Sequence, residues 1–373
     1  MFLYRPEKLF VTEESWEDAS ARAMVDRLPG VPVQTIPAAE SVLAGLAQAP
    51  DPIAQGKRVL VLARHRGSFL NPCPGAGAEM CCNYHVVNYA ANCPMDCSYC
   101  VLQSFLDNPA LVVFSNIDDL LREVVGRLSA SPNRLFRIGA GDFSDPLALD
   151  HITCYSRSLV PLFAGRPNGV LELKTKSAAV SNLEGLHHGG RTVVSWSVNS
   201  RRVIHAEETG TADLHERIVA ARRCQEWGYR IGFHFDPLVC YPGWQADYKS
   251  AVEEIFRKVD PAKVQWISLG SLRFTARLRD VMRRRFPRSR ISYGEFVPGH
   301  HGKWRYFRPI RREMYASMIS WIRRCAPEVF IYLCMEHREV WRESMLRVPR
   351  DAGELSDLMD SLASGCPPDS PRQ

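Results

Sequence analysis

Three cysteines stand close together in Asn92-Cys93-Pro94-Met95-Asp96-Cys97-Ser98-Tyr99-Cys100, in a C-x3-C-x2-C spacing. A loop this short can turn three thiolates toward one soft metal centre. Structural zinc closes its shell with four protein ligands, whereas three thiolates on a [4Fe-4S] cluster leave one iron open to another ligand. The spacing therefore points to an iron-sulfur centre on Cys93, Cys97 and Cys100, with zinc or a run of buried free thiols as the alternatives. Cys73, Cys81 and Cys82 precede the loop. Adjacent cysteines rarely serve one centre together, so these three read as structural or substrate-proximal thiols, a second cluster being the alternative.

Such a loop needs a rigid frame. From Tyr84 onward, short β-branched runs alternate with longer amphipathic ones. The expected strands are 85–89, 134–138, 170–175, 192–198, 230–235 and 264–269. Helical patterns fall at 117–128, 151–163, 177–187, 212–227, 245–259 and 275–285. Alternation of this kind predicts βαβ units and a parallel sheet. Six units make a partial (β/α)6 TIM-like barrel in the α/β class, with active residues expected at the C-terminal ends of its strands. The expected division is an N-terminal extension over 1–83, the core over 84–290, a C-terminal substrate-side extension over 291–363 and a disordered tail over 364–373, where Pro367, Pro368 and Pro371 cluster.

With Tyr99 just before its third cysteine, the loop resembles that of the radical S-adenosylmethionine (SAM) superfamily. Further stretches over about residues 59 to 345 resemble spore photoproduct lyase and its wider DNA-photolyase-like family. The resemblance implies a radical SAM core, a [4Fe-4S] cluster and SAM as cofactors. After the second strand, Gly139-Ala140-Gly141-Asp142-Phe143-Ser144-Asp145 is similar both to the Gly-Gly-Glu type turn that holds the SAM amino group and to the lyase segment Cys-Thr-Ser-Asp. That similarity places Ser144 and Asp145 on cofactor positions, a plain helix cap before Pro146 being the alternative. Its glycines are expected to permit close approach to a ligand. After the third strand, Lys176 resembles the lysine that meets the SAM carboxylate. After the fourth, Ser197 and Asn199 resemble a Ser-x-Asn pair that bonds the ribose or methionyl part. Tyr99 joins this cofactor set.

Two positions depart from the lyase pattern. The lyase cysteine that supplies a hydrogen atom to the product radical is Asp142 here, and the tyrosine after the third cluster cysteine is Val101. A carboxyl O–H is too strong to serve as that donor. Asp142 is therefore expected to bind the SAM ammonium group, with Cys240 and Cys334 as substitute donors or else inert core thiols. Asp236 stands where the lyase has alanine. Lys303-Trp304-Arg305-Tyr306-Phe307-Arg308 mixes cations with aromatics, as a surface meeting phosphates and unstacked bases would. Trp304, Arg305, Tyr306 and Arg308 are the substrate-binding candidates, and a structural aromatic cluster is the alternative. His234, His300 and His301 read as solvated or hydrogen-bonded histidines.

Composition bounds the rest. The chain has 373 residues, 12 cysteines and a net charge of +6, with no apolar N-terminal run and no later run long enough to span a bilayer. Thiol-rich chains of this kind suit a reducing cytoplasm. From Arg273 to Arg324, 15 Lys and Arg face three acids, a local balance of +12. That segment is expected to meet a polyanion, DNA being favoured, or to be a solvated helix face. The implied function is a radical SAM enzyme of lyase-like DNA repair on damaged or modified nucleic acid, served by an electron donor such as flavodoxin or ferredoxin. A paralogue acting on a small metabolite or peptide and a non-enzymatic DNA-binding metal-site protein are the other readings.

Overall fold

The computed structural model describes residues 3–73, 79–299, 302–345 and 348–364. Six parallel strands follow one another in chain order around a curled sheet: β1 (His85–Val87), β2 (Phe136–Ala140), β3 (Gly169–Thr175), β4 (Thr192–Ser197), β5 (Arg230–Leu238) and β6 (Val264–Ser271). A seventh, β7 (Ile331–Leu333), adds in parallel beside β6, and Leu70–Pro72 pairs antiparallel with β1. The result is the partial barrel expected from the alternation. Its strands are buried on both sides, yet β3 reads Val170-Leu171-Glu172-Leu173-Lys174-Thr175. With period-two geometry, leucines face the outer helices while Glu172 and Lys174 enter the lumen.

Outside the sheet, helices Ile117–Ala130, Leu214–Glu226, Trp244–Lys258 and Ala276–Arg285 lie close to the expected patterns. A capping box between Asp213 and Glu216 fixes the start of Leu214–Glu226. The expected helix over 177–187 is reduced to one turn at Ser181–Leu183. Its first residues are diverted: Ser177 Oγ accepts from Ala179 N at 3.0 Å, and the Ser177 carbonyl accepts from Trp196 Nε1 at 3.0 Å. Side-chain bonds of that kind compete with helix formation.

The N-terminal segment is not an appendage. Strands Lys8–Thr12, Val33–Ile36 and Val59–Ala63 form a second sheet with Leu111–Phe114 and Ala90–Ala91, both contributed from beyond residue 84. One face of this sheet joins the main core through Leu9, Leu60 and Leu62, and a smaller core covers the other face. A boundary at 83/84 thus cuts through paired strands. At the other end, helix Ala352–Ser364 meets the N-terminal ends of the barrel strands. Arg137 bonds Asp360 at 2.6 Å, and Arg230 and Gln265 both donate to the Leu362 carbonyl. That helix caps the floor and is not on the substrate side. The expected tail lies outside the described residues except Ser364, which ends this helix. No described helix is long and apolar enough to cross a membrane.

Candidate active site

The cysteine loop follows β1 over the C-terminal rim and is clamped from several directions. Lys57 Nζ donates to the Cys93 carbonyl at 2.8 Å and to the Met95 carbonyl. Gln103 donates to the Cys97 and Ser98 carbonyls at 3.0 and 3.1 Å. Arg285 bonds both oxygens of Asp96, at 3.1 and 3.0 Å. The loop's other edge pairs as a short strand, Asp96-Cys97 against Glu208-Thr209. These clamps occupy backbone and carboxylate oxygens, leaving the thiols to a small apolar shell of Met95, Ala148 and Tyr99. Burial pushes the Cys93 thiol up to about 12 and Cys97 well above the usual range. Binding a metal here would displace those protons. Among the described residues no three Cys, His, Asp or Glu side chains are close enough to share one metal ion. A four-iron cluster asks for one thiolate on each of three irons, and a dry, pinned loop of soft ligands fits that demand.

Beside the loop, at the ends of β3 and β4, lies a charged hub. Lys176 Nζ donates to Ser197 Oγ at 2.7 Å, to Tyr99 Oη at 3.1 Å and to Glu208 Oε1 at 3.2 Å. Glu208 also accepts from Tyr99 and from Arg217, the latter at 2.6 Å with both side chains fully buried. Burial alone would raise the Glu208 carboxyl, but Arg217 and Lys176 hold it down at about 2. Two cations therefore share one carboxylate, and the hub carries one surplus positive charge where Lys176 is still partly open.

Not every expected cofactor residue faces outward. Asp145 accepts from Leu147 N, Ala148 N, Thr175 Oγ1 and Lys176 N, at 3.1, 2.9, 2.6 and 2.7 Å, so both its oxygens strap the β2 turn to the end of β3. Asn199 donates to the Pro237 carbonyl at 2.8 Å and accepts from Tyr248, which fixes the loop after β5. Both are scaffold, because their polar atoms are already spent. Ser144 differs. Its hydroxyl is buried without a well-formed hydrogen bond, as is that of Tyr89, which it influences.

Asp142 turns into the lumen, where Oδ2 accepts from Tyr84 Oη at 2.7 Å. The close approach permitted by the glycine turn belongs to this tyrosine: a Cβ at Gly139 would come within 1.9 Å of Tyr84 Oη. Lys174 stands near Asp142, Asp236 and Cys334. Burial opposes its charge, but these neighbours outweigh burial and raise its pKa. Asp236 forms a two-pronged pair with Arg273, both contacts at 3.0 Å, and needs the space left by Gly270, where a Cβ would lie 2.7 Å away. Cys334 shares this lumen, its thiol pushed up to about 12 by burial and by Asp236. Cys240 sits apart, its backbone N–H on Tyr306 Oη at 3.1 Å. Deeper in the lumen, His234 bonds Glu172 at 2.8 Å and Ser268 at 2.7 Å, as expected of a hydrogen-bonded histidine. Burial would raise Glu172, but His234 and Ser195 bring it to about 2. His300 and His301 lie outside the described residues. Cys73, Cys81 and Cys82 lie against one another and influence each other's thiols.

The 303–308 stretch does not form a cationic aromatic surface. Lys303–Tyr306 is a strand between Arg273–Thr275 and Phe296–Pro298. Arg305 is buried against Glu79 and Glu336 and donates to the Met335 carbonyl at 2.8 Å. Tyr306 is core, stacked on Phe296 at 4.5 Å. Arg308 is half-exposed but paired with Glu339 at 2.8 Å and Glu343 at 3.1 Å. Trp304 stays partly open beneath Arg279. Lys303 is the residue that reaches the lumen, toward Arg273, Cys334 and Asp236.

Glu208, Arg217, Tyr84 and Lys174 escaped the sequence reading. Two of them left a trace. Arg217 falls on the buried stripe Leu214, Arg217, Ile218, Ala221, Cys224, an ionised residue where the pattern demands an apolar one. Lys174 continues the Glu172 face of a buried strand. Tyr84 and Glu208 had no local signal.

The sequence profile described as spore photoproduct lyase matches residues 72–331. Spore photoproduct lyase from Geobacillus sp. is 28% identical over 252 residues, 65% of this chain and 74% of its own length. That from Bacillus subtilis is 27% identical over 218 residues, 57% of this chain and 63% of its own. A crystal structure of a spore photoproduct lyase mutant superposes with a TM-score of 0.80 at 24% identity, covering 89% of this chain and 99% of the other. Another mutant, with bound AdoMet and dinucleoside spore photoproduct, gives 0.77 at 22% identity, covering 88% and 99%.

Proposed function

The chain belongs to the spore photoproduct lyase family, and from that premise we propose that it is a radical SAM enzyme of nucleic-acid repair whose cofactor is gripped by the Lys176 hub. The observation that carries this reading is the surplus positive charge: Arg217 neutralises Glu208 from below, so Lys176 can turn its ammonium to the carboxylate of SAM without leaving a buried charge alone. Ser197 and Tyr99 hold that ammonium in place. Ser144, buried with an unspent hydroxyl, is the second polar group for the cofactor. Cys93, Cys97 and Cys100 would hold the cluster. When bound and reduced, cluster and SAM together supply a 5′-deoxyadenosyl radical. The protein's part is to orient SAM, keep the substrate hydrogen near and exclude water.

The lumen sets what enters. Lys174, Arg273 and Lys303 are cations at or near its wall, against Asp142 and Asp236. Phosphate and base edges of a damaged dinucleotide, of the kind bound by the related lyase structure, suit such a mixture. The acids at 142 and 236 favour a second reading for the substrate alone, a charged metabolite or peptide in the same site.

Anaerobic reconstitution with iron and sulfide should give a [4Fe-4S] absorbance and 5′-deoxyadenosine. Lys176→Met should keep the absorbance while weakening SAM binding about tenfold, roughly 1.4 kcal/mol. Normal SAM affinity in that variant would remove the hub from the proposal. Deuterium transfer into 5′-deoxyadenosine from labelled dinucleoside spore photoproduct should be detected; transfer only from a metabolite or peptide would select the second reading.

A further inference from the structure

Reductive cleavage of SAM consumes one electron, which a partner must deliver, and a surface behind the cysteine loop is built for that delivery. A groove of about 460 Å³ runs between the segment after the cysteines, the turn near Pro52 and helix Ala276–Arg285. Its floor includes Asn92, Leu102 and Gln103. Gln103 is in direct hydrogen-bond contact with the Cys97 carbonyl at 3.0 Å. The helix is fastened to the same loop, because Arg285 grips Asp96 between Cys93 and Cys97 and also Asp51, at 3.0 and 2.9 Å. Outward, the helix turns exposed Arg277 and Arg284 onto the groove rim, and exposed Arg288 and Arg290 follow. Asp280 and Asp107 are the acids of the rim. Arg277 pairs with Asp107 at 3.1 Å, but the two side chains are 65% and 87% exposed, so the pair is weak and exchangeable.

We infer, on the enzyme reading above, that this basic groove docks a small acidic one-electron carrier against the back of the cysteine loop. The carrier is oxidised by one electron and the metal centre reduced by one; no bond or proton moves. Clustered arginines steer an acidic partner and raise its association rate without needing a large interface, and electron-transfer encounters are characteristically small. A nucleic-acid strand would be drawn to the same charges. The groove lining, however, contains none of the lumen residues Asp142, Lys174, Asp236 or Cys334, whereas it does contain the residue that touches Cys97. The basic segment at 277–290 thereby gains a role distinct from substrate binding.

The test uses the reconstituted full chain and the double variant Arg277→Glu/Arg284→Glu, with reduced flavodoxin as the probe carrier. Flavodoxin-driven 5′-deoxyadenosine formation and calorimetric flavodoxin affinity should each fall tenfold or more at low salt. Added salt should slow the wild type and leave the variant almost unchanged. Dithionite-driven formation and oligonucleotide affinity should match the wild type. Unchanged flavodoxin affinity overturns the inference, as does a loss of oligonucleotide affinity with flavodoxin affinity intact, which would assign the surface to nucleic acid. A wild type that forms no 5′-deoxyadenosine even with dithionite defeats the enzyme reading instead, while the calorimetric arm still decides the docking.

Discussion

Two positively charged stretches, Lys176 with its neighbours and Lys303 to Arg308, are alike in composition and opposite in use. Lys176 ends a barrel strand, its ammonium shared among Ser197, Tyr99 and Glu208, and part of it stays open. Arg305 and Tyr306 lie on a short antiparallel strand whose residues alternate between faces. Arg305 is drawn inward by Glu79 and Glu336, and Tyr306 joins the core. A strand end in a parallel barrel points its side chains at the ligand by construction. The middle of a hairpin strand does not, and acids remote in sequence decide where its cations go.

The largest effect that tests this contrast is at the base of the hub. Arg217→Met leaves Glu208 fully buried without its main partner and should cost about 3–5 kcal/mol by denaturant unfolding. A cost below about 1 kcal/mol would mean that Glu208 is not held as described. Arg305→Met comes next, at roughly 3 kcal/mol, because it strands buried Glu79 and Glu336. The salt dependence of oligonucleotide binding should be the same before and after this change; a flatter slope would return Arg305 to the phosphate surface.

A smaller effect follows from acid. Glu172 titrates at about 2 in the fold, below the 4.5 of an ordinary glutamate, because His234 and Ser195 outweigh its burial. Its contribution is therefore complete above pH about 4.5 and is lost as pH falls toward about 2, at up to roughly 1.4 kcal/mol per pH unit. Glu172→Gln should shallow the decline of stability across that window, measured by urea unfolding at stepped pH. Smallest of all is Arg308→Ala. Its partners Glu339 and Glu343 lie with it at the surface, so the loss should stay within about 1 kcal/mol, and thermal unfolding should barely register it.

The sequence by itself determined the barrel and much of its rim. Period-two strands separated by amphipathic helices admit few arrangements, and the C-terminal ends of β3 and β4 then had to carry Lys176 and Ser197 together. The C-x3-C-x2-C loop is likewise a local pattern whose ligand chemistry is written in its spacing. Tertiary structure alone decided which polar groups remain available. Asp145 and Asn199 stand at rim positions, yet their hydrogen-bond capacity is filled by Thr175, Lys176 N, Pro237 and Tyr248. Cys334 meets Asp236 while Cys240 does not, although both follow strands. The pairing of Arg285 with Asp96 spans 189 residues. The physical reason is the range of the forces involved: periodic burial is set by neighbours a few residues away, whereas a charge or hydroxyl is satisfied by whichever partner the fold brings to within about 3 Å, and no local pattern records that partner.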